Sequence, residues 1–182
     1  TMGLMDNGQQ GIFNKTIYDK SNVKIAVEYL DNAIISDPDR MDVYLGKCSA
    51  LLNVYNYNDV AETLKKIISR SKINSNKWLW SNNQTLQSRG MKSDDIIINA
   101  INDYLSKMYT YFDESKNSIK QIIETGIESF PKNIIVLNNA ARFYDLSGNK
   151  QKSIELLLLA YKLDQNDYII LAIIANFYES NK

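Results

Sequence analysis

A repeat constrains this chain more than any other feature. Ala26, Leu30, Ala33 and Pro38 recur 34 residues later as Val60, Leu64, Ile67 and Lys72. The same spacing returns as Ile119, Ile123, Gly126 and Pro131, and 34 residues further on as Ser153, Leu157, Ala160 and Gln165. Steps of four and three residues trace one face of an α-helix. Such faces at a period of about 34 residues mark helix hairpins stacked side by side, because one hairpin cannot bury its apolar faces alone. No stretch alternates as a strand would, so the chain is expected to be all-α.

The period divides the chain. Residues 1–9 lack a pattern and are expected to be disordered. Residues 10–182 form one array with units at about 10–40, 41–74, 100–133 and 134–167 and a terminal helix at 168–182. Pro38 and Pro131 stand 93 residues apart, two periods and a 25-residue excess, which places an insertion at 75–99. Nine or ten helices are expected. A short one runs from Ile12 to Lys20, and another from an Asn22 cap to Ser36 with Ala26, Tyr29, Leu30, Ala33 and Ile34 inward. Met41–Val54 follows, then a return helix carrying Val60, Leu64, Ile67 and Ile68. Ser93 reads as a hydroxyl cap for a helix reaching Phe112, whose partner spans about Asn117 to Ser129. The last three are Ile134–Leu146, Gln151–Leu163 and Tyr168–Glu179, with Gly148 supplying the positive φ at a helix end.

Composition removes function classes. Histidine is absent, which takes away the commonest general base and most zinc sites. Cys48 is the single cysteine, so neither an intrachain disulfide nor a cysteine metal cluster can form. The 21 basic and 21 acidic residues cancel, leaving no field that would favour nucleic acid or an anionic membrane. The longest apolar run, Ile169 to Ala175, is too short to cross a bilayer, so no membrane insertion is expected. No signal peptide opens the chain, and the cytoplasm is the favoured compartment. Thr1 is not an initiator, however, so export with a leader removed, or origin as a fragment, stays open.

At Pro131, Leu137, Ala141, Tyr144, Gly148, Leu157 and Ala160 the chain resembles the tetratricopeptide repeat family. Tyr44, Cys48, Leu51, Tyr57, Val60, Leu64 and Ile67 fit the same register, as do Ala26, Leu30, Ala33 and Pro38 in a decayed first unit. The resemblance implies a right-handed α-solenoid of antiparallel hairpins, interrupted here by one insertion. Small residues on the first helices (Cys48, Ala141, Ala175) and second helices (Ala33, Gly126, Ala160) would let backbones approach closely. Lys107 occupies the small-residue place of the third unit and departs from the pattern.

In this family the first helices line a concave groove that takes a peptide or protein segment. Carried over, the groove would present Asp42, Leu45, Ser49 and Asn53, then Tyr104, Met108 and Tyr111, then Asn138, Asn139 and Arg142, then Ile169, Ala172 and Asn176. Tyr104, Met108, Tyr111, Asn138, Asn139, Arg142 and Asn176 are the candidate partner-binding residues. Amides can pair with a ligand backbone whatever its sequence. With Arg142 the single cation there, a clamp for a C-terminal carboxylate is not expected. Trp78 and Trp80 form a secondary candidate, either as an exposed anchor or as a pin holding the insertion, the second being favoured. The acidic pairs Asp94–Asp95 and Asp113–Glu114 read as helix-start charges rather than a catalytic or metal site. Cys48 should be buried and inert. The reading is therefore a non-catalytic protein-binding module without cofactor or metal. Alternatives are an inhibitor or immunity-type protein acting through the insertion, and an accessory domain of a larger enzyme.

Overall fold

The computed structural model describes residues 20–74, 77–81 and 83–179. The segment 1–9 and the helix expected from Ile12 fall largely outside them. Eight α-helices fill most of the described residues: α1 Lys20–Ser36, α2 Met41–Asn53, α3 Tyr57–Asn74, α4 Ser93–Tyr109, α5 Phe112–Ser129, α6 Ile134–Leu146, α7 Lys150–Leu163 and α8 Tyr168–Glu179. Each of α2–α3, α4–α5 and α6–α7 pairs closely, and α3 packs on α5 while α4 packs on α6, so successive hairpins stack. α1 lies against α2, and α8 against α7.

Burial repeats with the hairpins. On α2 the buried residues Tyr44, Cys48, Leu51 and Leu52 recur on α4, at identical spacing, as Ile97, Ile101, Tyr104 and Leu105. Leu137 and Ala141 take the first two places on α6. The second helices agree when counted from their ends. Ser71, Ile68, Ile67 and Leu64 on α3 correspond to Gly126, Ile123, Ile122 and Ile119 on α5, and to Ala160, Leu157, Leu156 and Ser153 on α7. The small residue always stands fourth from the end: Ala33, Ser71, Gly126, Ala160. A Cβ at Gly126 would sit 3.3 Å from Val136 Cγ1 and 4.0 Å from Ile101 Cδ1, which shows how near α5 comes to both α6 and α4.

Several expectations are corrected. The 34-residue period aligns Ile67 with Ala33, but counted from the helix end Ser71 takes that place, because α3 runs 18 residues against 14 in α7. Lys107 is exposed, and Ile101 takes the packed place expected of it. α4 is one turn longer than α6, and α5 begins at Phe112 rather than near Asn117. Ser93 does not cap α4; its hydroxyl accepts a 3.3 Å bond from Ser71 Oγ in the buried seam between α3 and α4. Asn22 lies inside α1, and Ala26 and Tyr29 face outward. Val27, Leu30 and Ile34 are the α1 residues that turn inward, with Leu30 Cδ2 only 3.8 Å from where a Gly46 Cβ would stand.

The turns follow local chemistry. Asn133 caps α6 by accepting from Val136 N at 3.2 Å, and Asn149 caps α7 by accepting from Lys152 N at 3.0 Å. Gly148, two residues past α6, takes φ +81° as expected of a left-handed helix end. Tyr55 holds the same place after α2 at φ 61°, a conformation that costs a side chain roughly 1–2 kcal/mol. Its ring packs edge-on against Tyr111 at 5.2 Å and Tyr57 at 6.2 Å, contacts that offset the strain.

α4 starts at Ser93, where the sequence places a helix start, so the last residues of the 75–99 segment are helical. The insertion carries a two-stranded antiparallel hairpin, β1 Leu79–Trp80 with β2 Gln84–Thr85, and a 3-10 turn at Gln87–Arg89. Leu79 N donates to Asp39 O at 2.8 Å and Ser81 N to the Asp42 carboxylate at 3.3 Å, which ties the hairpin to the start of α2.

Candidate partner-binding cleft

The helix faces that miss the core decide where a ligand can go. On α6, Val136, Leu137, Ala140 and Ala141 point inward, which leaves Asn138, Asn139, Arg142 and Asp145 along the opposite side. α8 presents Ile173 and Asn176 toward the same space, and α7 supplies Ser153 and Leu157 beneath it. The result is a cleft of about 490 Å³ bounded by α6, α7 and α8, with Asn102 of α4 at one edge. Its wall is amide-rich, its floor apolar through Ala141, Leu157, Ile173 and Phe177, and Lys150 and Asp145 flank it.

The polar wall is partly fixed. Asn139 Nδ2 donates to Asn102 Oδ1 and to the Ile135 carbonyl, both at 3.0 Å. The Tyr109 hydroxyl donates to the Asn139 carbonyl at 2.6 Å, and the Arg142 guanidinium lies 4.3 Å from the Tyr109 ring centroid. Burial drives the Tyr109 phenol well above its ordinary range, with the nearby Arg142 charge opposing that shift. Tyr109 therefore stays a neutral donor that seats Asn139 and steadies Arg142 through its ring face. Asn138 Oδ1 is buried and has no hydrogen-bond partner among the described residues. A buried amide oxygen without a donor costs free energy, a penalty that Asn138 carries at the back of the cleft wall.

Asn138, Asn139, Arg142 and Asn176 thus come together as the sequence predicts, whereas the rest of the expected groove does not. Tyr104 is buried and donates to the Leu45 carbonyl at 2.9 Å, and burial pushes its phenol up to about 12. Met108 is fully buried, and Tyr111 is half-buried against Tyr55. All three sit inside because the extra turn of α4 shifts its exposed face to Asn99, Asn102 and Ser106. Asn102 is one of the cleft residues the sequence register missed, along with Asp145, Lys150, Ile173 and Phe177. Asp42 is engaged by Arg40 at 2.8 Å, which holds its carboxyl below the ordinary value, and Ser49 lies 3.3 Å from the Tyr104 hydroxyl. Asn53 and Ala172 are exposed outside the cleft, and the Ile169 side chain lies outside the described residues.

Trp78 is 1% exposed and meets Tyr44 edge-on at 5.8 Å, so it pins the insertion and offers nothing to a partner. Trp80 is half-buried above Leu45, Ala100 and Tyr104. Asp94, Asp95, Asp113 and Glu114 are exposed in the first turns of α4 and α5, where negative charge complements the helix dipole. Burial raises the Cys48 thiol to about 12, which leaves it protonated and unreactive at neutral pH. No group of three or more His, Cys, Asp or Glu side chains arranged to hold a metal occurs among the described residues, and no helix there is long and apolar enough to cross a membrane. No protein-family model matches the chain, and no curated protein matches it.

Proposed function

We propose that this chain is a tetratricopeptide-type α-solenoid that binds a peptide or protein segment, without catalysis, in the cleft between α6, α7 and α8. The carrying observation is the convergence of Asn138, Asn139, Asn176 and Arg142 over an apolar floor, with Asn138 Oδ1 buried and lacking a donor. The repeated burial spacing of the hairpins supports the solenoid reading. Amides read a ligand backbone, Arg142 and Lys150 favour a mildly acidic segment, and Leu157, Ile173 and Phe177 suit one apolar side chain. Use of the insertion as the docking element is disfavoured, because Trp78 is spent inside the fold.

The test is selection of binders from a displayed library of random peptides, followed by titration against the Asn138→Ala, Arg142→Ala double variant. The expected result is a loss of about tenfold or more in affinity, equivalent to ~1.4 kcal/mol or above, with an unchanged melting curve. Selected peptides that bind the double variant undiminished would move binding away from this cleft.

A further inference from the structure

A second recess opens between α4, α2 and the insertion. Leu45 of α2, Trp80 and Met91 of the insertion and Ile96 of α4 wall a space of about 270 Å³, room for one long side chain. The Tyr104 hydroxyl donates to the Leu45 carbonyl at 2.9 Å and lies 3.3 Å from Ser49 Oγ, so the polar group of the floor is already engaged. Asn99 and Asp103, both exposed, complete the lining from α4.

Charge decides what suits this recess. Asp103 is the one charged residue of its lining, and no ion pair or hydrogen bond among the described residues engages its carboxylate. Arg40, which reaches the insertion at Asn83, is committed to both carboxylate oxygens of Asp42 at 2.9 and 2.8 Å. A lysine or arginine side chain matches both features of the site. Its methylenes cover Leu45, Met91 and Ile96, while its cation is drawn to the Trp80 ring and the Asp103 carboxylate. A purely apolar side chain would desolvate Asp103 without pairing it, and an acidic one would be repelled.

Asn99 and Asp103 share the exposed face of α4 with Asn102, which edges the cleft of α6, α7 and α8. We propose that the recess is a second subsite for the segment bound in that cleft, and that it takes a lysine or arginine of the segment; this rests on the cleft being the main binding site. Crossing one helix, about 10 Å, takes roughly three or four residues of extended chain, which sets the basic residue that far from the residue meeting Arg142. The insertion thereby adds selectivity to a segment that α6, α7 and α8 hold.

The probe is a displayed library of random peptides of about 12 residues, long enough to cover both places. Peptides selected on the full chain are titrated against the wild type, the Asn138→Ala, Arg142→Ala double variant and an Asp103→Lys variant. Asp103 is an exposed helix position, so Asp103→Lys keeps the wild-type melting curve. Selected peptides are expected to carry Lys or Arg, to lose roughly fivefold or more in affinity for the Asp103→Lys variant, and to recover when that one peptide residue becomes Glu. Peptides weakened by the double variant but indifferent to Asp103→Lys overturn the subsite and leave the cleft standing. A loss on Asp103→Lys that the Glu peptide does not recover overturns the subsite as well. Peptides that bind the double variant undiminished, or a library that yields no binder, overturn the cleft and this extension of it together.

Discussion

Ala141 and Ala160 sit at 2% and 0% exposure on the packed faces of α6 and α7. At Ala160 a larger side chain has nowhere to go without separating two helices, and at Ala141 it must displace packed neighbours or intrude into the cleft whose floor it forms. Ala141→Leu and Ala160→Leu are each expected to destabilise by about 1–3 kcal/mol through overpacking. Urea denaturation reads this directly, and unchanged midpoints in both variants would mean that the helices do not close on these alanines. Ala33, Gly126 and Ala160 were legible from the 34-residue period alone, because their helices end at equivalent distances from the repeat. Ser71 was not, since a helix four residues longer than α7 carries its small residue one turn further along. Ala26 and Tyr29 follow a helical spacing that a sequence cannot orient: the period shows that a face exists, and packing decides which face is covered. In α1 the covered side is Val27, Leu30 and Ile34.

At the scale of elements, the bounds of α6 and α8 follow from sequence because caps and turns coincide with the ends of the apolar pattern. Asn133 and Gly148 bracket α6 with a side-chain acceptor and a left-handed turn. The long hairpin α4–α5 resisted this reading: its turn at Thr110–Tyr111 has no glycine or cap to mark it, and each helix carries an extra turn. The 25-residue excess located the insertion, but two-residue strands are too short to show alternation. What anchors them is Trp78, packed on Tyr44 and enclosed. Trp78→Ala is expected to cost about 3 kcal/mol, at the low end for a buried tryptophan, because its indole Nε1 is buried without a partner among the described residues and that penalty disappears with the ring. Chemical denaturation measures the loss. A change below ~1 kcal/mol would show that the β1–β2 hairpin holds to α2 through its backbone bonds alone.

For the molecule as a whole, all-α architecture was legible because helical spacing recurs in four windows, and the side-by-side packing of successive hairpins followed from the period. The composition of the cleft was only half legible. Asn138, Asn139, Arg142 and Asn176 share a register that sequence alone aligns, whereas Asn102 enters from a helix whose extra turn hides the alignment, and Phe177 enters from an apolar helix whose inward face only packing selects. The central claim is that this cleft, and not the insertion, is where a partner binds. Titrating the ¹⁵N-labelled chain with a library-selected peptide and following amide chemical shifts tests it most directly. The largest changes are predicted at Asn138, Asn139, Arg142 and Asn176, with the Asn102 side-chain amide among them and residues 83–90 unmoved. Shifts confined to residues 77–92, with α6 and α8 unperturbed, would contradict it.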